Sequence, residues 1–121
     1  VARIGQIWKY RPSPAEGLAG ERDAPGTLEL SIEATEGGVI ENADNLTIAS
    51  WGDVIVCEDG PSGNGLVRVT PSGEVDRFAM NRISGSELAG ACFSPDGDTL
   101  FVNIQHQGIT VAIDGPWRSP A

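Results

Sequence analysis

Cys92-Phe93-Ser94-Pro95-Asp96-Gly97-Asp98-Thr99-Leu100-Phe101-Val102-Asn103 sets two apolar runs on either side of a tight turn. Proline at the second turn position presets φ at roughly −65°, a small polar residue follows, and glycine closes the turn. Thr70-Pro71-Ser72-Gly73 repeats that layout, and Ser50-Trp51-Gly52-Asp53 turns the chain in a similar way. Each turn lies between apolar runs and predicts a β-hairpin. Working outward, short β-branched and aromatic runs predict nine strands, at residues 4–10, 27–34, 45–49, 53–58, 65–70, 75–79, 90–94, 99–104 and 109–113. Helical periodicity is almost absent. Residues 12–26, with Pro12, Pro14, Pro25 and Gly26, form a loop rich in chain breakers.

The hairpins repeat. Leu46-Thr47-Ile48, a turn and Val54-Ile55-Val56-Cys57 are echoed by Cys92-Phe93-Ser94, a turn and Leu100-Phe101-Val102-Asn103, an offset of 46 residues from Val54 to Leu100. A glycine-led strand follows each, at Gly65-Leu66-Val67 and Gly108-Ile109-Thr110. A period of roughly 40–50 residues with about four strands per unit is the signature of propeller blades. The expected fold is therefore all-β, a β-propeller fragment of about two four-stranded blades. The single unit 1–121 divides into outer strands of one blade at 1–36, a complete blade at 44–79 and the inner strands of the next at 87–115. Two blades cannot close a ring, and both ends leave unpaired strand edges. A homo-oligomer is expected, with three copies completing a six-bladed propeller.

Bulk composition agrees with this reading. Of 121 residues, 40% are hydrophobic and 21% charged, as in a globular domain, while 16 glycines and eight prolines punctuate many short strands. A formal charge of −9 opposes nucleic-acid binding, which needs Lys and Arg against phosphates, and favours cations. No apolar run reaches the ~20 residues that cross a bilayer, and no signal peptide is visible. Cys57 and Cys92 each sit among apolar residues. They read as buried structural thiols, with a disulfide or a metal thiolate as the alternatives.

A series of segments, in order along nearly the whole chain, resembles the PhoX-type bacterial alkaline phosphatases. They are Gly5-Gln6-Ile7-Trp8-Lys9-Tyr10, Asp44-Asn45-Leu46-Thr47, Trp51 to Gly60, Glu87 to Gly97, Thr99 to Gln105, and the closing stretch from Gly108-Ile109-Thr110 to Gly115-Pro116-Trp117. The resemblance implies a β-propeller and a metal-dependent phosphomonoester hydrolase, with Ca2+ and Fe3+ as cofactors and a phosphate-ester small molecule as substrate. It also implies export to the periplasm or beyond. The chain corresponds to the C-terminal portion of that family, whose iron-binding cysteine and several carboxylates lie upstream. The implied enzyme is therefore incomplete, with no catalytic residue assigned.

Asp44 and Asn45 stand just before the inner strand of the complete blade, and Glu87 holds the equivalent stretch of the next. Inner-strand starts line the mouth of a propeller's channel, and hard cations take carboxylate and amide oxygens. By resemblance, Asp44, Asn45 and Glu87 match metal-binding positions of the family. Read without it, Asp44-Asn45 is equally a turn that bonds its own backbone, and Glu87 a solvated side chain. Glu41, Glu58 and Asp59 are second-rank candidates. The single histidine, His106, rules out a multi-histidine site within one chain, and Ser/His/Asp catalysis has no supporting spacing. Trp8, Trp51 and Trp117 read as packing residues. Gly60-Pro61-Ser62-Gly63-Asn64-Gly65 lacks the lysine of a phosphate loop. Two other functions compete with the phosphatase: a non-catalytic, self-associating propeller fragment, and a propeller hydrolase of the calcium lactonase kind.

Overall fold

A computed structural model describes residues 5–61 and 63–117, so Ile4 of the first expected strand lies outside the described residues. Among the described residues nine strands form three antiparallel sheets. The first sheet pairs β1 (Gln6–Arg11) with β2 (Thr27–Glu33). The second has the order β3 (Ala43–Ile48), β4 (Val54–Glu58), β5 (Gly65–Val69), β6 (Val75–Met80). The third has the order β7 (Leu88–Phe93), β8 (Thr99–Ile104), β9 (Ile109–Asp114). The second and third are plain meanders, the topology of propeller blades. The only helical turn among the described residues is a 3-10 segment, Ala19–Arg22, inside the breaker-rich loop.

The proline turns form as their residues require. Gly73 N–H donates to Thr70 O and Gly97 N–H to Ser94 O, each at 2.9 Å, with φ of 89° and 80° at the two glycines. A side chain at those angles would be strained, so glycine is the residue that lets each hairpin reverse.

The middle sheet packs on both faces. Ile55, Cys57 and Leu66 meet Leu88, Ala91, Leu100, Val102 and Ile104 of the third sheet. Val56, Val67 and Val69 meet Ala34 and Ile40, with Ile7 and Ile32 of the first hairpin at the border. Burial on both faces explains the unbroken apolar run of β4, where no polar alternation is possible. In β8 only one face is covered, and there Leu100, Val102 and Ile104 are buried while Phe101 remains 38% exposed. Each fully buried Ile55, Leu66 or Leu100 contributes roughly 1.5–3 kcal/mol of transfer free energy.

Aromatic rings seal the second and third sheets near the turn end. Trp51 lies edge-on to Phe93, Phe93 to Trp117, and Trp117 to Phe78, with centroids 5.1, 5.5 and 5.7 Å apart. Trp117 Nε1 also donates to Asp98 O at 2.7 Å. Trp51 and Trp117 are thus packing residues, while Trp8 lies exposed on β1. The two cysteines differ. Cys57 is buried and Cys92 exposed, with no disulfide between them. The expectation of two buried thiols fails at Cys92 because the alternation of β7 turns it to the uncovered face of its sheet.

Candidate functional site

Strand direction gathers the acidic candidates. β3, β5, β7 and β9 begin, and β4, β6 and β8 end, at one rim of the second and third sheets. That rim carries Glu41, Asp44, Glu58, Asp59, Glu87 and His106, and the opposite rim carries the proline turns.

Asp44 and Asn45 lie inside β3 rather than before it. The ladder pairs Ala43 with Glu58 and Asn45 with Cys57, so Asp44 is the extra residue of a β-bulge. In a regular strand neighbouring side chains point to opposite faces; a bulge breaks that alternation. Here Asn45 Nδ2 reaches Asp44 Oδ2 at 3.2 Å, and Asn45 Oδ1 accepts the Gly90 N–H of the next sheet at 3.1 Å. Asn45 therefore orients the Asp44 carboxylate and ties two blades together. The receiving end is irregular too: β7 loses register against β8 between Ala89 and Cys92, and Gly90 adopts φ of 62°.

Glu87 sits one residue before β7, its carbonyl accepting the Gln105 N–H at 3.2 Å. Partial burial and the charges of Asp59 and Asp44 raise its carboxyl above the ordinary glutamate value, with His106 and a Gln105 hydrogen bond opposing. Burial also pushes the Cys57 thiol up to about 11, with Asp44 and Glu87 adding to the effect. The carboxylates of Asp44 and Asp59 are thus close enough to Glu87 to act on its charge.

Glu58 has a different role. It is completely buried, and Arg77 grips it through two 2.9 Å hydrogen bonds, Nε to Oε2 and Nη2 to Oε1. The Glu41 N–H adds a third bond to Oε1 at 2.8 Å, and Arg77 Nη2 also donates to Val39 O at 2.7 Å. With its oxygens so occupied, Glu58 anchors the approach to β3 and is no open ligand. The pairing with Arg77, 19 residues away, is invisible to local sequence reading.

Around these residues the rim loops are fixed by amide side chains. Asn42, at φ of 47°, donates to Asp59 O at 2.8 Å; Asn64 accepts from Gly60 N–H and donates to Gly85 O; Asn81 donates to Ser86 O at 2.7 Å. The sequence signal for this framework was the recurrence of Asn before or after a strand.

Fit to a metal can be judged from the donors. Carboxylates at Asp44, Asp59 and Glu87 are hard oxygen ligands suited to calcium, which takes about 6–8. Among the described residues no three His, Cys, Asp or Glu side chains are gathered closely enough to hold an ion. Cys57 lies buried in the core between the second and third sheets.

The fold is that of a β-propeller fragment, with Glu41, Asp44, Glu58, Asp59 and Glu87 at one rim. The family model "Alkaline phosphatase PhoX" matches residues 2–108, and the chain belongs to that family. The match runs through β8 and stops before β9 and Trp117. No curated protein and no solved structure matches the chain significantly.

Proposed function

We propose that this chain supplies part of the channel mouth of a metal-dependent phosphomonoester hydrolase and is inactive until the channel is completed. The match to the alkaline phosphatase PhoX family carries this reading. Calcium and iron ions, when bound, act as Lewis acids that withdraw charge from a phosphoryl group. Asp44 and Glu87 are the carboxylates offered to calcium, and Asn45 holds Asp44 in place while bracing the next blade. Arg77 and Glu58 keep the strand beneath them from shifting.

The protein with its channel completed, given calcium and iron, is assayed for hydrolysis of a chromogenic phosphate monoester, alongside Asp44→Asn and Glu87→Gln, while the isolated chain should stay inactive. Turnover that depends on the ions and falls at least ten-fold in both variants supports the reading. Turnover unchanged in both would remove these residues from it. A second reading, a non-catalytic self-associating propeller segment, is favoured by the lack of a gathered three-ligand cluster among the described residues. Persistent inactivity in the fully assembled protein with both ions present would select it.

A further inference from the structure

Asn64 is the most enclosed of the amide side chains on the rim, at 4% exposed. Both ends of its amide are engaged. Oδ1 accepts the Gly60 N–H of the β4–β5 loop at 2.9 Å, and Nδ2 donates to the Gly85 carbonyl of the β6–β7 linker at 3.0 Å. Its backbone carbonyl accepts the Asn81 N–H, where that linker starts, at 2.8 Å. One residue therefore fastens the segment 81–87, which ends in Glu87, to the second sheet. An amide suits the position because one partner is a donor and the other an acceptor. The next residue is fixed for a different reason. A Cβ on Gly65 would stand 2.9 Å from each of Ala79 O, Glu58 Oε2 and Met80 Sδ, so a side chain there would press on backbone. Hydrogen bonding and packing thus dictate Asn-Gly at 64–65, whereas Asn42, Asn45, Asn81 and Asn103 precede residues that carry a side chain.

A backbone nitrogen that follows asparagine can attack the side-chain carbonyl carbon, and glycine, with no Cβ, obstructs that approach least. We propose that Asn64 is a deamidation site, shielded while the linker is closed, and that its conversion releases the linker. In the reaction the Gly65 nitrogen gives its proton to hydroxide and bonds to Asn64 Cγ. Nδ2 takes a proton from water and leaves as ammonia, and a further water opens the succinimide to aspartate or isoaspartate. While both amide bonds hold, Cγ is not free to swing onto the Gly65 nitrogen, and Gly65 itself is held opposite Met80 in the β5–β6 ladder. Reaction waits on local opening of the linker and the start of β5, so its rate reads the free energy of that opening. The product cannot restore the old contact. A carboxylate oxygen faces the Gly85 carbonyl where an N–H stood, and a charge takes the place of a buried neutral group. The inference does not rest on phosphatase activity.

The intact protein is held at mildly alkaline pH, folded and in urea, and peptide mapping by mass spectrometry follows amide-to-acid conversion at each asparagine. In urea, Asn64 is expected to convert faster than Asn42, Asn45, Asn81 and Asn103. In the folded protein its conversion should be slower by at least about ten-fold. Hydrogen exchange then compares the parent with Asn64→Asp, and with the converted fraction of aged parent protein in case that variant does not fold. The amides of residues 81–87 should exchange at least about ten-fold faster after conversion, while those of β8 keep their rates. Slow conversion of Asn64 in urea, or equal rates folded and unfolded, overturns the inference. So does a linker whose exchange stays at the parent's rate once residue 64 carries the acid.

Discussion

Arg77 and Glu58 show how one residue pair organises a rim. The carboxylate is wholly buried and the guanidinium is partly open, with side-chain exposures of 0% and 31%. The two members should therefore respond unequally to mutation. Arg77→Met leaves a buried charge with only the Glu41 N–H, and the expected loss is about 3–5 kcal/mol by denaturant unfolding. Glu58→Gln leaves an arginine that can turn to water, so its loss is the smaller. Equal losses would mean that the pair does not share its burial in this way. At Cys57 the folded state holds the thiol proton more tightly than the unfolded chain, because burial raises its pKa from 9.0 to about 11. The stabilisation from that proton is complete below pH 9.0 and is lost as pH rises through about 11. Cys57→Ala starts less stable, and the gap to the parent narrows over that window in urea titrations. In the folded chain at pH 8, Cys92 reacts with a thiol reagent and Cys57 stays silent.

At the scale of the strand, the two irregular ladders facing each other are the informative elements. The β3 bulge turns Asp44 and Asn45 toward each other, and Gly90 of β7 offers the N–H that Asn45 accepts. A Cβ at Gly90 would stand 2.9 Å from Asn103 Nδ2 in a backbone conformation of φ 62°. Gly90→Ala should cost more than about 1 kcal/mol in unfolding free energy, through strain and the displaced amide. Gly85→Ala, with open space around it and no positive φ, is the control and should change little. The hairpins themselves were readable from the chain because each proline turn carries its own backbone instructions. The bulges were not. Their register depends on which residue opposes which across the ladder, and nothing in Ala43-Asp44-Asn45 announces the extra residue.

For the whole molecule, net charge is the long-range force between copies. Every copy carries a formal charge of −9, so copies repel as they approach. Screening by salt weakens the repulsion, since the Debye length falls to roughly 3 Å at 1 M. Raising sodium chloride from 0.02 to about 0.5 M should lower the net repulsion between copies, read by light scattering as a less positive second virial coefficient. Calcium should do so at far lower concentration if the acidic rim takes it up, and equal potency of calcium and sodium at matched ionic strength would argue against calcium binding there.

The chain by itself determined the strands, the turns, the all-β class and the blade repeat, because alternation, proline and glycine act over a few residues and need no distant partner. It also marked Asp44, Asn45 and Glu87 as a group worth placing together. Only the tertiary structure decided what those residues do with one another. It made Asn45 a brace between blades, gave Asp44 and Glu87 a common field, closed Glu58 off behind Arg77 and left Cys92 in the open. The physical reason is that each of these outcomes depends on contacts across sheets, set by how blades stack rather than by any local run of residues.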